Sequence, residues 1–173
     1  LTIALVGLPG AGKSTIGRQL SKLLKWEFAD SDVEIEARAG CSIRKLFEQR
    51  GESDFRDLEQ HVLGELVCRP RTVLATGGGS ILRQANREAL RRHSQVIYVR
   101  AQAEDLARRL RHDTHRPLLQ SVNPLQKLRE LFSARDPLYR EVANFTIDSS
   151  RTSVSQVVHL LVMQLELSGL LDA

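Results

Sequence analysis

With 173 residues, the chain can bury one substantial core but is short for two typical domains. Its 42% hydrophobic and 27% charged residues fit a globular protein, and no apolar run nears the roughly 18–20 residues of a membrane helix. The net charge of +4 rests on 20 Arg and only 5 Lys, scattered among acids as in RDLEQ rather than gathered in a block. That pattern argues against nucleic acid and suits small anionic ligands, because Arg offers carboxylates and phosphates a planar fork of donors.

The apolar run LTIALV (1–6) stops at Gly7 and reads as a buried strand. A helix follows over about 13–25, with Ile16, Leu20, Leu23 and Leu24 expected on one face. EFAD (27–30) is a second strand. Helical segments follow at about 32–39, 42–50 and 54–68, punctuated by Gly40 and Gly51. TVLAT (72–76) and QVIYV (95–99) are strands three and four, with a helix of about 83–92 between them and another at 103–111 after them. Residues 112–124 are polar with two prolines and read as a loop. A helix over 124–143 should break near Pro137, FTID (145–148) is strand five, and a last helix covers about 154–168 through Val154, Val157, Val158, Leu161 and Leu165. Strands alternating with helices predict a parallel α/β sheet covered on both faces, in one domain. Cys41 and Cys68 lack the spacing of metal ligands and read as reduced thiols of a cytoplasmic protein.

GLPGAGKST (7–15) carries G-x-x-x-x-G-K-[ST] between a strand and a helix, the context in which that pattern cradles phosphate. Gly10, Ala11, Gly12, Lys13, Ser14 and Thr15 would turn backbone N–H groups and the positive helix end toward a polyphosphate. Lys13 would reach the β- and γ-phosphates, and the Ser14 hydroxyl would bind Mg²⁺. The motif specifies ATP or GTP and leaves the acceptor open.

Four features bear on the acceptor. Asp30 and Asp32 close strand two, where one could hold Mg²⁺ through water and the other take a proton from a hydroxyl; alternatively, either simply caps the next helix. Arg56 in GESDFRDLEQ has Glu52, Asp57 and Glu59 nearby, and alone would read as a surface ion pair. Arg116 in HRPLL lies in the long loop, where it could swing over a γ-phosphate or remain a solvated charge. Gly77, Gly78 and Gly79 follow an apolar strand, either as a loose turn or as bare backbone that something must approach closely.

The ordered set G-x-x-G-x-G-K-[ST], D-[ST]-D-x-x-I-E, G-E-x-x-F-R-x-x-E, G-G-G, R-P-L-L and P-L-Y-x-x-x-A resembles the shikimate kinases over nearly the whole chain. The resemblance implies a three-layer α/β/α P-loop fold like that of nucleoside monophosphate kinases, with a five-stranded parallel sheet in the order 2-3-1-4-5. It implies a single domain over 1–173, with substrate-binding helices at about 33–60 and a lid at about 112–124. The implied reaction is phosphoryl transfer from ATP, with Mg²⁺, to the 3-hydroxyl of shikimate, on the route to chorismate and the aromatic amino acids. Residue by residue, it assigns Asp30 with Ser14 to the metal, Asp32 to the substrate hydroxyls and the proton, and Arg56 and Arg140 to the carboxylate. Gly77, Gly78 and Gly79 become the pocket wall, Lys13 and Arg116 face the transferring phosphoryl group, and Arg109 lies near adenine. The expected protein is monomeric and cytoplasmic, with no nucleic-acid or membrane partner. The loop DSSRTSV (148–154) lacks the Pro that some members carry beside the adenine.

Three other readings compete. A gluconate or nucleotide kinase would share the loop and lid but would not need paired Arg residues beside a glycine wall. A silent nucleotide-binding relative should have lost Lys13, Asp32 or Arg116, and a nucleic-acid binder needs a contiguous basic face. His112 and His115 read as solvent-facing lid residues, His61, His93 and His159 as surface residues, and Trp26 as a packing residue.

Overall fold

The computed structural model describes residues 1–111, 123–150 and 152–171. Most of the lid expected at 112–124, with Arg116, His112 and His115, lies outside the described residues. Five strands, β1 (Thr2–Val6), β2 (Glu27–Asp30), β3 (Thr72–Ala75), β4 (Gln95–Arg100) and β5 (Phe145–Asp148), form one sheet in the order β2-β3-β1-β4-β5, all parallel. This is the expected order. Ile3, Ala4, Leu5 and Val6 of the central strand are fully buried, although successive side chains point to opposite faces. Both faces of the sheet are therefore covered, as parallel sheets require.

The covering helices are α1 (Lys13–Leu24), α2 (Ser31–Ala39), α3 (Ile43–Leu66), α4 (Gln84–His93), α5 (Ala103–Leu110), α6 (Pro124–Val142) and α7 (Val154–Leu167). Helix α1 packs with its Gly17 side inward, where a Cβ would meet the Phe28 ring at 2.8 Å. That rotation buries Ile16 and Leu20, partly buries Leu24 and leaves Leu23 half-exposed, against the expectation for Leu23. Helix α7 buries Val157, Val158, Leu161 and Leu165, as its spacing predicts. Each such burial is worth about 1.5–3 kcal/mol.

The helices predicted at 42–50 and 54–68 run on as α3 through a kink at Gly51, whose φ of 85° and ψ of 170° are not helical. The break expected near Pro137 is absent, and α6 is continuous through it. Proline in a helix forfeits one i→i−4 bond, and here the exposed flank tolerates that loss while Tyr139 and Val142 anchor the next turn in the core. Trp26 packs against the core, and His61, His93 and His159 are exposed, as expected. No helix among the described residues is long and apolar enough to cross a membrane.

Because all five strands run the same way, their carboxyl ends share one edge of the sheet. That edge is where ligands gather in open α/β folds.

Candidate active site

The loop after β1 wraps tightly at this edge. Gly10 (φ 85°) and Gly12 (φ 96°) take left-handed conformations that other residues rarely adopt, which turns the loop's backbone toward the start of α1. Lys13 is buried, and its Nζ donates to the carbonyls of Gly7 at 2.6 Å and Leu8 at 2.9 Å. The amine is thus held inside the loop's own curl.

Asp30 caps the next helix, one of the tasks weighed for it, and also meets Ser14. Its Oδ1 caps α2, accepting from the backbone N–H of Asp32 at 3.0 Å and of Val33 at 3.4 Å. Its Oδ2 accepts from the Ser14 hydroxyl at 2.8 Å. Two hard oxygens thus meet beside the phosphate loop, a donor set that suits Mg²⁺ completed by water and phosphate.

The triple glycine explains itself by what touches it. None of Gly77, Gly78 and Gly79 has positive φ, so space rather than conformation requires them. A Cβ on Gly77 would lie 2.7 Å from the Asp32 carboxylate, one on Gly78 2.8 Å from the Pro9 ring of the phosphate loop, and one on Gly79 2.5 Å from Nη1 of Arg56. The colliding groups are the site's own, rather than the ligand alone as the sequence suggested. Three consecutive residues therefore bring the acid, the phosphate loop and a guanidinium against one strip of backbone. Ser31, fully buried, fixes the strip by accepting from the Gly77 N–H at 3.0 Å.

Behind Gly79, Arg56 is no surface pair. Its Nη1 donates to Glu59 at 2.7 Å, with the two side chains 13% and 1% exposed. Burial pushes the Glu59 carboxyl above the ordinary carboxylate range, against the pull of Arg56, Arg135 and Arg83. The Nε of Arg56 is buried without a hydrogen-bond partner, its nearest acid being the exposed Glu52 at 3.5 Å. A buried guanidinium with spare donor capacity is equipped to take a second anion.

Two Arg residues of α6 separate here. Arg140 is 54% exposed and donates from Nε to Asp136 at 2.9 Å. It does not join the group around the glycines. Arg135, which the sequence reading passed over, does: it stands one helical turn before Tyr139, and its charge acts on the Tyr139 hydroxyl and on Glu59. Burial pushes the Tyr139 hydroxyl well up, so it stays protonated and donates to the Gly78 carbonyl at 2.5 Å.

Asp136 accepts from the Tyr98 hydroxyl at 2.6 Å and from Arg100 at 3.4 Å as well as from Arg140. Burial alone would raise its carboxyl, but the hydrogen bonds from Tyr98 and Arg140 and the charges of Arg140 and Arg100 hold it below its usual 3.8. The stabilisation that this lowering brings is full above that value and is lost as pH falls through the depressed folded-state pKa. The expected result is that Asp136→Asn lowers the melting temperature at neutral pH yet flattens its fall between about pH 5 and pH 3. Melting curves across that range check it.

A cavity of about 530 Å³ runs along the strand ends. The phosphate loop lines it. Asp30, Asp32, Thr76, Gly77 and Gly78 line it too, as do Arg109, Leu110, Ser149, Thr152, Val154 and Val157, which bring three apolar side chains, two hydroxyls and one cation. Arg109 bridges the loop carbonyls of Gly10 (3.1 Å) and Ala11 (3.3 Å) to the Ser149 carbonyl. Of the residues predicted from sequence, the structure gathers Gly10 to Thr15, Asp30, Asp32, Gly77, Gly78 and Arg109 on this cavity. Arg56 adjoins it at Gly79, Arg140 lies apart, and Arg116 lies outside the described residues.

A phosphate loop on a cavity that also holds two acids and Arg109, with the buried Arg56 against the neighbouring Gly79, defines a P-loop kinase of small molecules. The comparisons with known proteins narrow that class. The family model for shikimate kinase matches residues 9–166. A shikimate kinase of Ralstonia nicotianae is 50% identical over 168 residues, covering 97% of this chain and 88% of the relative. Shikimate kinase from Acinetobacter baumannii in complex with shikimate superposes with a TM-score of 0.92 at 47% identity, covering 99% of this chain and 95% of that one. A gluconokinase from Sinorhizobium meliloti, at a TM-score of 0.58 and 17% identity, shares the fold alone. The chain belongs to the shikimate kinase family, a family of phosphotransferases with ATP as co-substrate.

Proposed function

We propose that this chain transfers the γ-phosphoryl group of ATP to the 3-hydroxyl of shikimate, giving shikimate 3-phosphate and ADP, as a cytoplasmic monomer on the route to chorismate and the aromatic amino acids. The observation that carries this reading is the glycine strip, which sets Asp32, the phosphate loop and Arg56 against three consecutive residues. A small ring acid laid on that strip would have its carboxylate at the guanidinium end and a hydroxyl at the Asp32 end.

The roles follow from position. Arg56 and Arg135 grip the carboxylate, Arg56 with the guanidinium end that lies against Gly79 and Arg135 from α6. Asp32 accepts the hydroxyl proton as the oxygen bonds to the γ-phosphorus and the bond to the β–γ bridging oxygen breaks, the electron pair leaving with ADP. Lys13 moves from its loop carbonyls onto the phosphates, and Arg109 borders the adenine. Ser14 and Asp30 would hold Mg²⁺, which when bound neutralises phosphate charge. Arg116, with the lid at about 112–124, would close over the γ-phosphate and shut out water. The helices at about 33–60 complete the acceptor side of a single domain.

Assigning the second arm of the clamp to Arg135 separates two neighbours on one helix. Arg135→Ala should raise the KM for shikimate about tenfold or more, whereas Arg140→Ala should leave it within about twofold. The activity itself is tested by coupled ADP release with shikimate, gluconate and nucleoside monophosphates in parallel. Turnover with shikimate alone is expected, and turnover with gluconate or a nucleotide instead would overturn the reading.

A further inference from the structure

We propose that Ser31 is a positioning residue for phosphoryl transfer: its side-chain oxygen holds the glycine strip against Asp32 and so sets where an acceptor hydroxyl meets its base. The proposal rests on the assignment of Asp32 as that base. Strand β3 lies between β2 and β1, and successive N–H groups of a strand point to opposite sides. The Thr76 N–H, just past the strand, donates to the Leu5 carbonyl of β1 at 3.1 Å. The Gly77 N–H therefore points toward the β2 side. There the pairing ends with Asp30 beside Ala75, and the chain turns into α2. In place of a strand carbonyl, the Ser31 Oγ accepts the Gly77 bond at 3.0 Å.

Ser31 is the first residue of α2 and is fully buried. Its neighbours Asp30 and Asp32 both line the cavity, but Ser31 does not, so it acts through other groups. Asp30 fixes the backbone of the base from one side, its Oδ1 accepting from the Asp32 N–H at 3.0 Å. Gly77 confines the carboxylate from the other, since a Cβ there would lie 2.7 Å from Asp32 Oδ1. The Ser31 bond joins these two constraints. One short side chain, on the helix that carries the base, holds the backbone on which the acceptor would lie. Replacing Ser31 with Ala leaves a buried N–H without its acceptor and lets Gly77 shift relative to Asp32. Proton transfer needs the hydroxyl within about 2.6–3.2 Å of its base, so small shifts there cost turnover. Arg109 and the turn at Gly10 and Gly12 do not depend on this bond, which spares the nucleotide side.

The test is a double-mutant cycle of Ser31→Ala and Asp32→Asn, read as kcat and as KM for both substrates, with Ser31→Thr as the variant that keeps the oxygen. Ser31→Ala should lower kcat about tenfold while the KM for ATP stays within about twofold of the parent. Ser31→Thr should keep kcat within about threefold. In the Asp32→Asn background, Ser31→Ala should change kcat by no more than about twofold, because no base is left to position. A purely structural bond would lower the melting temperature and leave kcat alone. An unchanged kcat in Ser31→Ala, an equal loss in Ser31→Thr, or effects that multiply in the double variant would each overturn the proposal. A near-normal kcat in Asp32→Asn would instead overturn the base assignment. Should Ser31→Ala not fold, Ser31→Cys replaces the oxygen with a poorer acceptor: a fall in kcat of about fivefold is expected, and an unchanged kcat overturns the proposal.

Discussion

Asp32→Asn is expected to lower kcat by about 10²–10⁴-fold while leaving nucleotide affinity within about twofold. Asn occupies the same volume, so it still fits against Gly77, where a carboxylate oxygen now lies 2.7 Å from the position a Cβ would take. What it lacks is the capacity to accept a proton from an attacking hydroxyl. The nucleotide side rests on different groups: the turn at Gly10 and Gly12, the buried Lys13, and Arg109 across the loop. Single-turnover kinetics with calorimetric titration of ATP separate the two effects. A kcat within tenfold of the parent would remove Asp32 from the role of base.

The second large effect concerns Arg56. Arg56→Ala should raise the KM for shikimate about 100-fold, corresponding to roughly 3 kcal/mol for a lost charge-assisted contact. It should also destabilise the fold, because Glu59 is left buried without its nearest cation, and breaking a buried pair in this way costs about 3–5 kcal/mol. The two effects can be told apart by pH. Burial already raises the Glu59 carboxyl, and losing Arg56 raises it further. A raised carboxyl favours the fold at low pH and costs stability as pH rises through its folded-state value. The variant should therefore be closest to the parent in melting temperature near about pH 5 and furthest from it near about pH 8. Adding Glu59→Gln should recover much of the stability and none of the KM. If the second change restored shikimate binding, Arg56 would be a structural residue only.

The residues themselves made much of this site legible, and the exceptions have geometric causes. The strand–GLPGAGKST–helix run could be placed because its chemistry is local: backbone, lysine and hydroxyl are contiguous. Asp30 was harder, since capping a helix and meeting Ser14 are not exclusive, and its two oxygens divide the tasks. The choice between Arg135 and Arg140 was hidden by helical phase. Five residues on a helix turn a side chain through about 140° from its starting direction, so only one of the pair can face the glycines. Arg135 and Tyr139 stand four apart and share a face, as do Asp136 and Arg140, which pair with each other. The spacing to Tyr139 was the available signal. Leu23 was misplaced for a related reason: the lack of a side chain at Gly17 lets Phe28 pack close and rotates α1 away from its apolar average. Glu59 looked like half of a surface pair because nothing local shows that both partners are buried.

A crystal structure with shikimate and a non-hydrolysable ATP analogue bound together tests the central claim most directly. The account predicts one carboxylate held by both Arg56 and Arg135, the ring lying along Gly77 to Gly79, and a hydroxyl between Asp32 and the γ-phosphate. A carboxylate bound at Arg140, or a ring lying away from the glycine strip, would contradict it.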